Sequence, residues 1–276
     1  NMAEVKDLVK ENPGLVDSTN SGYTPLIFAI YYRKNEISDF LLENKADINY
    51  QNPTTKIDAL IMSLRHRDLS LVKKLVKNGA NIDIQNNNME TALHITLRSN
   101  SNDISEYLIN AGADLNLVDN NEKTALVTAI EGNNKEIADL ILKKGAKFPD
   151  DKHEINKLLH ISLSNGQTNV AKTLLKECTD FNNKDKIGRS FLHNAVIGGD
   201  YAIIKKLVEK GADVNAVDSL NKTALHYSVM HNYKKLTKLL IDRETDINAV
   251  DNTGRTALSI AQDWGNKDIF DYLKNT

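Results

Sequence analysis

The sequence predicts an all-α solenoid, a single curved array of paired antiparallel helices joined by β-hairpin-like loops. Three observations carry that expectation. A similar segment recurs with Thr24, Asp58, Thr91, Thr124, Lys157, Ser190, Thr223 and Thr256 in one column, in one step of 34 residues and six of 33. Self-similarity at such a period means stacked units, each unable to bury its apolar face alone. Two places after that column the residue is Leu in every copy: Leu26, Leu60, Leu93, Leu126, Leu159, Leu192, Leu225 and Leu258. Five places after it the residue is always small, from Ala29 and Ser63 to Ser228 and Ala261, as close helix packing between copies requires.

The segments Thr24-Pro25-Leu26, Thr91-Ala92-Leu93-His94 and Thr223-Ala224-Leu225-His226 resemble the Thr-Pro-Leu-His signature of ankyrin repeats. Gly211-Ala212-Asp213-Val214-Asn215-Ala216 resembles that family's inter-repeat hairpin. The resemblance covers nearly the whole chain. It implies a protein-binding scaffold whose partner is read by residues that differ from member to member.

Taken in order, residues 1–18 are expected to form an N-terminal capping half-repeat, with Leu8-Val9 one period before Leu41-Leu42 and a polar outer face of Glu4, Lys6, Lys10 and Glu11. Asn1 ahead of Met2 reads as an expression remnant or as a cut from a longer chain. Repeat 1 spans 19–52, and repeat 2 spans 53–85 with an extra residue near Pro53-Thr54-Thr55 that should widen its hairpin. Repeats 3 and 4 (86–118 and 119–151) are regular, and Gly112 and Gly145 supply the left-handed residue that ends each second helix. Repeat 5 (152–184) departs most. Phe148-Pro149-Asp150-Asp151 stands at its entry, Lys157 replaces Thr, and Cys178-Thr179 replaces Gly-Ala at its exit. Repeats 6 and 7 (185–217 and 218–250) return to pattern, except that Glu244-Thr245 again replaces Gly-Ala. Residues 251–276 form a C-terminal capping repeat 8, where the apolar column at offset six ends in Gln262. The second helices are recognised by apolar residues at helical spacing, such as Ile203, Leu207 and Val208. No linker or second domain is visible.

Composition narrows the function classes. A net charge of −2 over 276 residues gives no global attraction to nucleic acid or to an anionic membrane. No apolar run approaches membrane-spanning length. One cysteine, Cys178, cannot form an intramolecular disulfide, and no Cys-His motif surrounds it as a nucleophile would require. His94, His160, His193 and His226 share one column about a repeat apart, roughly 8–10 Å, too far to share one metal ion. The resemblance implies instead that this His joins the Thr hydroxyl and nearby backbone, with His160 facing Lys157 and His193 facing Ser190. No phosphate-binding glycine loop, HExxH or calcium loop is present. The expectation is a monomeric, cytoplasmic, non-enzymatic protein with no cofactor, no metal and no catalytic residue, whose partner is another protein.

The resemblance places binding in a concave groove lined by hairpin tips and first-helix ends. Carried onto this chain, the groove set is Tyr23, Tyr31, Tyr32, Arg65, His66, Arg98, Lys123, Glu131, Arg189, Lys222, Met230, His231, Arg255 and Trp264. These columns change at every step while the core columns do not, the pattern of specificity written on a fixed scaffold. Their basic character suggests an acidic or phosphorylated segment as partner. The alternative is an accessory array of a larger enzyme, a channel or a secreted effector acting in a host cytoplasm, an idea prompted by the abundance of Asn, Lys and Ile.

Overall fold

In the first helix of most copies, the hydroxyl of the Thr column accepts a backbone N–H of the first turn and so fixes where the helix begins. Thr24 accepts from Ile27 N at 3.4 Å, Thr124 from Val127 N at 3.4 Å, and Thr256 from Ser259 N at 3.2 Å. The computed structural model describes residues 2–276; Asn1 lies outside them.

The chain divides into two compact units, one ending at Lys147 and the other running from Phe148 to Thr276. The sequence shows no second domain, yet the division falls where Phe148-Pro149-Asp150-Asp151 replace the hairpin sequence. In the first unit, α1 (Met2–Glu11) and a 3-10 turn (Pro13–Asp17) precede α2 (Pro25–Tyr31) and α3 (Asn35–Glu43), α4 (Ala59–Ser63) and α5 (Leu69–Lys77), α6 (Ala92–Arg98) and α7 (Asn102–Asn110), and α8 (Ala125–Glu131) and α9 (Lys135–Lys143). The second unit holds α10 (Lys152–Ser164) and α11 (Thr168–Glu177), α12 (Phe191–Gly198) and α13 (Tyr201–Glu209), α14 (Ala224–Met230) and α15 (Lys234–Ile241), and α16 (Ala257–Asp263) and α17 (Lys267–Lys274). Within each unit the helices form two layers. First helices pack in a row, α2 on α4 and α6 on α8 in one unit, α10 through α16 in the other, and second helices such as α5, α7 and α9 pack beside them. Among the described residues there is no sheet, only isolated bridges such as Val118 with Thr124 and Lys184 with Ser190.

The core is the pair of columns that the sequence marks. Seven of the eight column leucines are buried, and the small column from Ala29 to Ala261 is buried throughout. Each fully buried Leu contributes about 1.5–3 kcal/mol relative to an exposed one. Gln262 is exposed, as its polarity predicts. In the N-terminal helix the register differs from the periodic expectation: Val9 is buried, whereas Leu8 is exposed.

The hairpin-like loops close on one carboxylate or amide each. Asp119 N–H donates to Lys123 O at 3.0 Å while its side chain accepts from Asn121 N and Lys123 N, and Asp185, Asp218 and Asp251 repeat the arrangement. In repeat 2 the same closure runs from Asn52 N to Ile57 O, one residue longer, so that loop is wider as its extra residue requires. Neighbouring tips join through Asn120 N to Asn88 O, Ser219 N to Ile187 O and Asn252 N to Leu220 O. The second helices end on left-handed Gly79, Gly112, Gly145 and Gly211. Glu244 adopts the same conformation with φ 61° despite its Cβ, whereas Cys178 is extended with φ −77°.

Repeat 5 is built differently. Helix α10 starts at Lys152, where the column would start it at Leu158, because Asp151 accepts from His153 N at 3.2 Å and Glu154 N at 3.1 Å. Lys157 therefore lies inside the helix rather than at a cap.

Candidate protein-binding surface

The histidine column is an internal lock. In α6, Thr91 N–H donates to His94 Nδ1 at 3.3 Å, the Thr91 hydroxyl lies 2.9 Å from the same nitrogen, and Nε2–H donates to Lys123 O of the next loop at 3.0 Å. The carbonyl can only accept, so the Nε2–H tautomer is required. His193 with Ser190 and Lys222 O, and His226 with Thr223 and Arg255 O, repeat the lock. Burial holds all three imidazoles below their ordinary pKa, partly offset by the carbonyl bonds, so they stay neutral. His160 has no hydroxyl partner and does not bond Lys157. Its ring instead meets Asn183 Oδ1 at 3.2 Å and Asn194 Nδ2 at 2.9 Å, correcting the expected pairing. Among the described residues no group of three or more metal-ligating side chains comes together.

In the first unit the helix ends carry an aromatic cluster. Tyr31 and Tyr32 are 40% and 62% exposed, and their rings meet edge to face at 4.9 Å. Phe28 stacks behind Tyr32, Tyr23 lies against Phe28, and the Arg65 guanidinium sits over the Tyr31 ring at 5.0 Å. His66 is engaged on both nitrogens, accepting from Arg33 Nε at 2.9 Å and donating to Ile30 O at 2.8 Å. Farther along the unit the basic character is neutralised from within. Arg98 pairs with Glu90 and with Asp119, and Lys123 pairs with Glu131 at 2.5 Å.

In the second unit Trp264 follows α16 and is 53% exposed, while His231 stacks on Tyr233 at 5.4 Å and Met230, half-buried, ends α14. Arg255 bonds Asp251 at 3.1 Å. Lys222 alone of the expected groove residues is buried. It is only 9% exposed, and its ammonium lies 3.8 Å from buried Asp251 of the next loop, so it pairs between neighbouring loops and offers a partner little surface. Burial pushes the Asp251 carboxyl up, but bonds from Thr253 and Arg255 outweigh it and hold the group well below the usual carboxylate range. Arg189 rests over the Tyr227 ring at 5.1 Å, and its Nε donates to the Tyr227 hydroxyl at 3.3 Å.

A cavity of about 590 Å³ opens in the second unit between α10 and the loop of residues 183–189. Sequence columns miss it, because they assume that Lys157 begins a helix. The signal that could have found it is Asp151 followed three places on by Glu154, the pattern of a helix N-terminus. Cys178 donates to Asp180 O at 3.3 Å, and burial pushes its thiol up, away from the nucleophilic thiolate.

Comparison with known proteins agrees with this architecture. A family model for ankyrin repeats in three copies matches residues 60–151, 149–218 and 192–276, and the single-repeat model matches 21–53. An ankyrin repeat protein of Acanthamoeba polyphaga mimivirus is 35% identical over 75 residues, which is 27% of this chain and 10% of that protein. Ankyrin repeat and SAM domain-containing protein 6 of Rattus norvegicus is 30% identical over 98 residues, which is 35% of this chain and 11% of that protein. The chain thus spans about a tenth of the length of these relatives. Among the described residues no helix is long and apolar enough to cross a membrane.

Proposed function

Because the chain belongs to the ankyrin repeat family, whose repeats are generally protein–protein interaction modules and typically non-catalytic, we propose that it is a monomeric, cytoplasmic scaffold that binds a partner protein through its loop tips and first-helix ends. One observation carries the reading: Tyr31, Tyr32 and Trp264 stand exposed at first-helix ends, while the repeated Leu and small columns are almost wholly buried. Tyr, Trp and Arg are the residue types that dominate interface energy. The surface proposed is, in each unit by itself, the groove residues Tyr23 to Glu131 of the first and Arg189 to Trp264 of the second, with Lys222 contributing little, and an acidic segment is the partner chemistry proposed. A second reading, an accessory array within a longer protein, is favoured by the small share of each relative that the match covers.

The test joins capture from cell extract, identified by mass spectrometry, to substitutions. Tyr31→Ala with Tyr32→Ala should leave stability within about 1 kcal/mol while weakening a captured partner by about 2 kcal/mol or more. A partner indifferent to every groove change but lost on Lys73→Glu or Lys205→Glu, both on exposed parts of second helices, would overturn the placement.

A further inference from the structure

The early start of α10 gives repeat 5 a cavity whose floor is closed upon itself. His160 is bound by Asn183 and Asn194, and Asn194 donates in turn to Asp185 Oδ2 at 3.0 Å. Asp185 Oδ1 accepts from Ile187 N and Arg189 N, so both of its oxygens are already engaged, one by the loop and one by α12. What remains for a ligand is apolar wall, chiefly Ile161 and Ile187, under a basic rim. The rim is Lys157, Lys184, Lys186 and Arg189. Lys157 is engaged by Glu154 at 2.8 Å, whereas Lys184, Lys186 and Arg189 form no ion pair among the described residues.

The apolar surface continues beyond the cavity. Ile187 and Leu220 are each 49% exposed, and the bond from Ser219 N to Ile187 O at 3.1 Å sets the two loop tips side by side. The volume lies within the range of ligand sites, about 300–1,000 Å³, where a mostly apolar lining supplies affinity and a few charges fix orientation. A chain segment with carboxylates alone would leave the Ile161 and Ile187 wall uncovered. Lys184 donates to Val217 O at 2.9 Å and Arg189 to the Tyr227 hydroxyl at 3.3 Å, but an apolar segment alone would leave these two cations and Lys186 without a counter-charge.

We propose that this cavity is an anchor pocket for one large apolar side chain of a partner segment whose neighbouring residues are Asp or Glu. The proposal rests on the protein-binding reading above and gives that surface one recognisable partner chemistry. The apolar side chain enters between α10 and the 183–189 loop, and the flanking carboxylates meet Lys184, Lys186 and Arg189.

A random dodecapeptide phage library panned on the full chain tests it, with two counter-baits: Ile187→Asp combined with Lys186→Glu, and Tyr31→Ala combined with Tyr32→Ala. Ile187 and Lys186 are exposed, and the tip bond uses the Ile187 carbonyl, so the first counter-bait keeps its fold. Peptides that lose at least tenfold in affinity on the first counter-bait should carry a large apolar residue with Asp or Glu beside it. Recovery of no pocket-dependent peptide, or of pocket-dependent peptides that are basic or lack the apolar anchor, would overturn the inference. Peptides that depend on Tyr31 and Tyr32 alone would overturn the pocket and leave the protein-binding reading standing. Peptides that depend on neither would count against both.

Discussion

Repeats 5 and 6 place a histidine in the same column and use it differently. His193 is locked by the Ser190 hydroxyl and backbone on one side and the Lys222 carbonyl on the other, so it ties a helix start to the next loop. His160 finds no hydroxyl, because Lys157 stands where Ser190 stands in repeat 6, and it settles for the amides of Asn183 and Asn194. Repeat 5 therefore differs in three things together: the helix is longer, the loop before it is shorter, and a cavity opens beside it. In a repeat array the local device is also the interface device, so a departure in one copy is felt at the next.

The other copy without a hydroxyl gives the largest expected effect. Asp58 holds the cap position in repeat 2, accepting from Ile61 N at 2.7 Å, but it is 1% exposed and its Oδ2 has no partner. Burial pushes its carboxyl from 3.8 up to about 6, against the lowering effect of the backbone bonds. The folded protein thus holds this proton more tightly than the unfolded chain does. The resulting stability is fully present below the unfolded value and is lost as pH rises through about 6. Asp58→Thr should therefore stabilise the protein increasingly between about pH 4 and about pH 7, the gain growing by about 3 kcal/mol. Urea unfolding across that range checks it, and a gain independent of pH would break the comparison between hydroxyl and carboxylate caps.

The locks themselves come next. His193→Ala and His226→Ala should each cost about 2 kcal/mol, through lost buried hydrogen bonds and packing, and His160→Ala about 1 kcal/mol, because its amide partners line an open cavity and can turn to water. Equal losses in all three would mean that the amide substitute is as good as the lock. The locks also set an acid limit. These imidazoles are held below their unfolded pKa, so the stability that they contribute is present above the unfolded value of 6.5 and lost as pH falls below it.

The smallest effect compares two exits. Glu244 is held left-handed at φ 61°, so Glu244→Gly should stabilise by about 1 kcal/mol. Cys178 stands in the same column but is extended, so Cys178→Gly should bring no gain and cost about 0.5–1 kcal/mol in chain entropy. Thermal unfolding of the two variants separates these signs.

Much of the fold was legible in the sequence because packing between copies is repetitive. A position that must be Leu or small in one copy must be so in the next, and the Leu column, the small column and Gln262 all behave as that logic requires. Charge was less legible. The groove columns look basic on balance in sequence, but Arg98, Lys123, Lys222 and Arg255 are answered by Glu90, Glu131, Asp119 and Asp251 from neighbouring turns. The partner of a long side chain depends on rotamer and loop geometry, which no column records. The cavity was hidden for a different reason: aligning Lys157 with Thr imposes a helix start that Asp151 has overruled.

Native-state hydrogen exchange across repeats 5 to 7 tests the central claim most directly, because exchange reports local opening residue by residue. The account predicts fastest exchange at the uncopied ends of repeat 5, residues 152–157 and 176–184, with strong protection in the locked helices α12 and α14. Uniform protection from Lys152 to Ile241 would contradict it, for repeat 5 would then be as firmly built as the repeats that keep the lock.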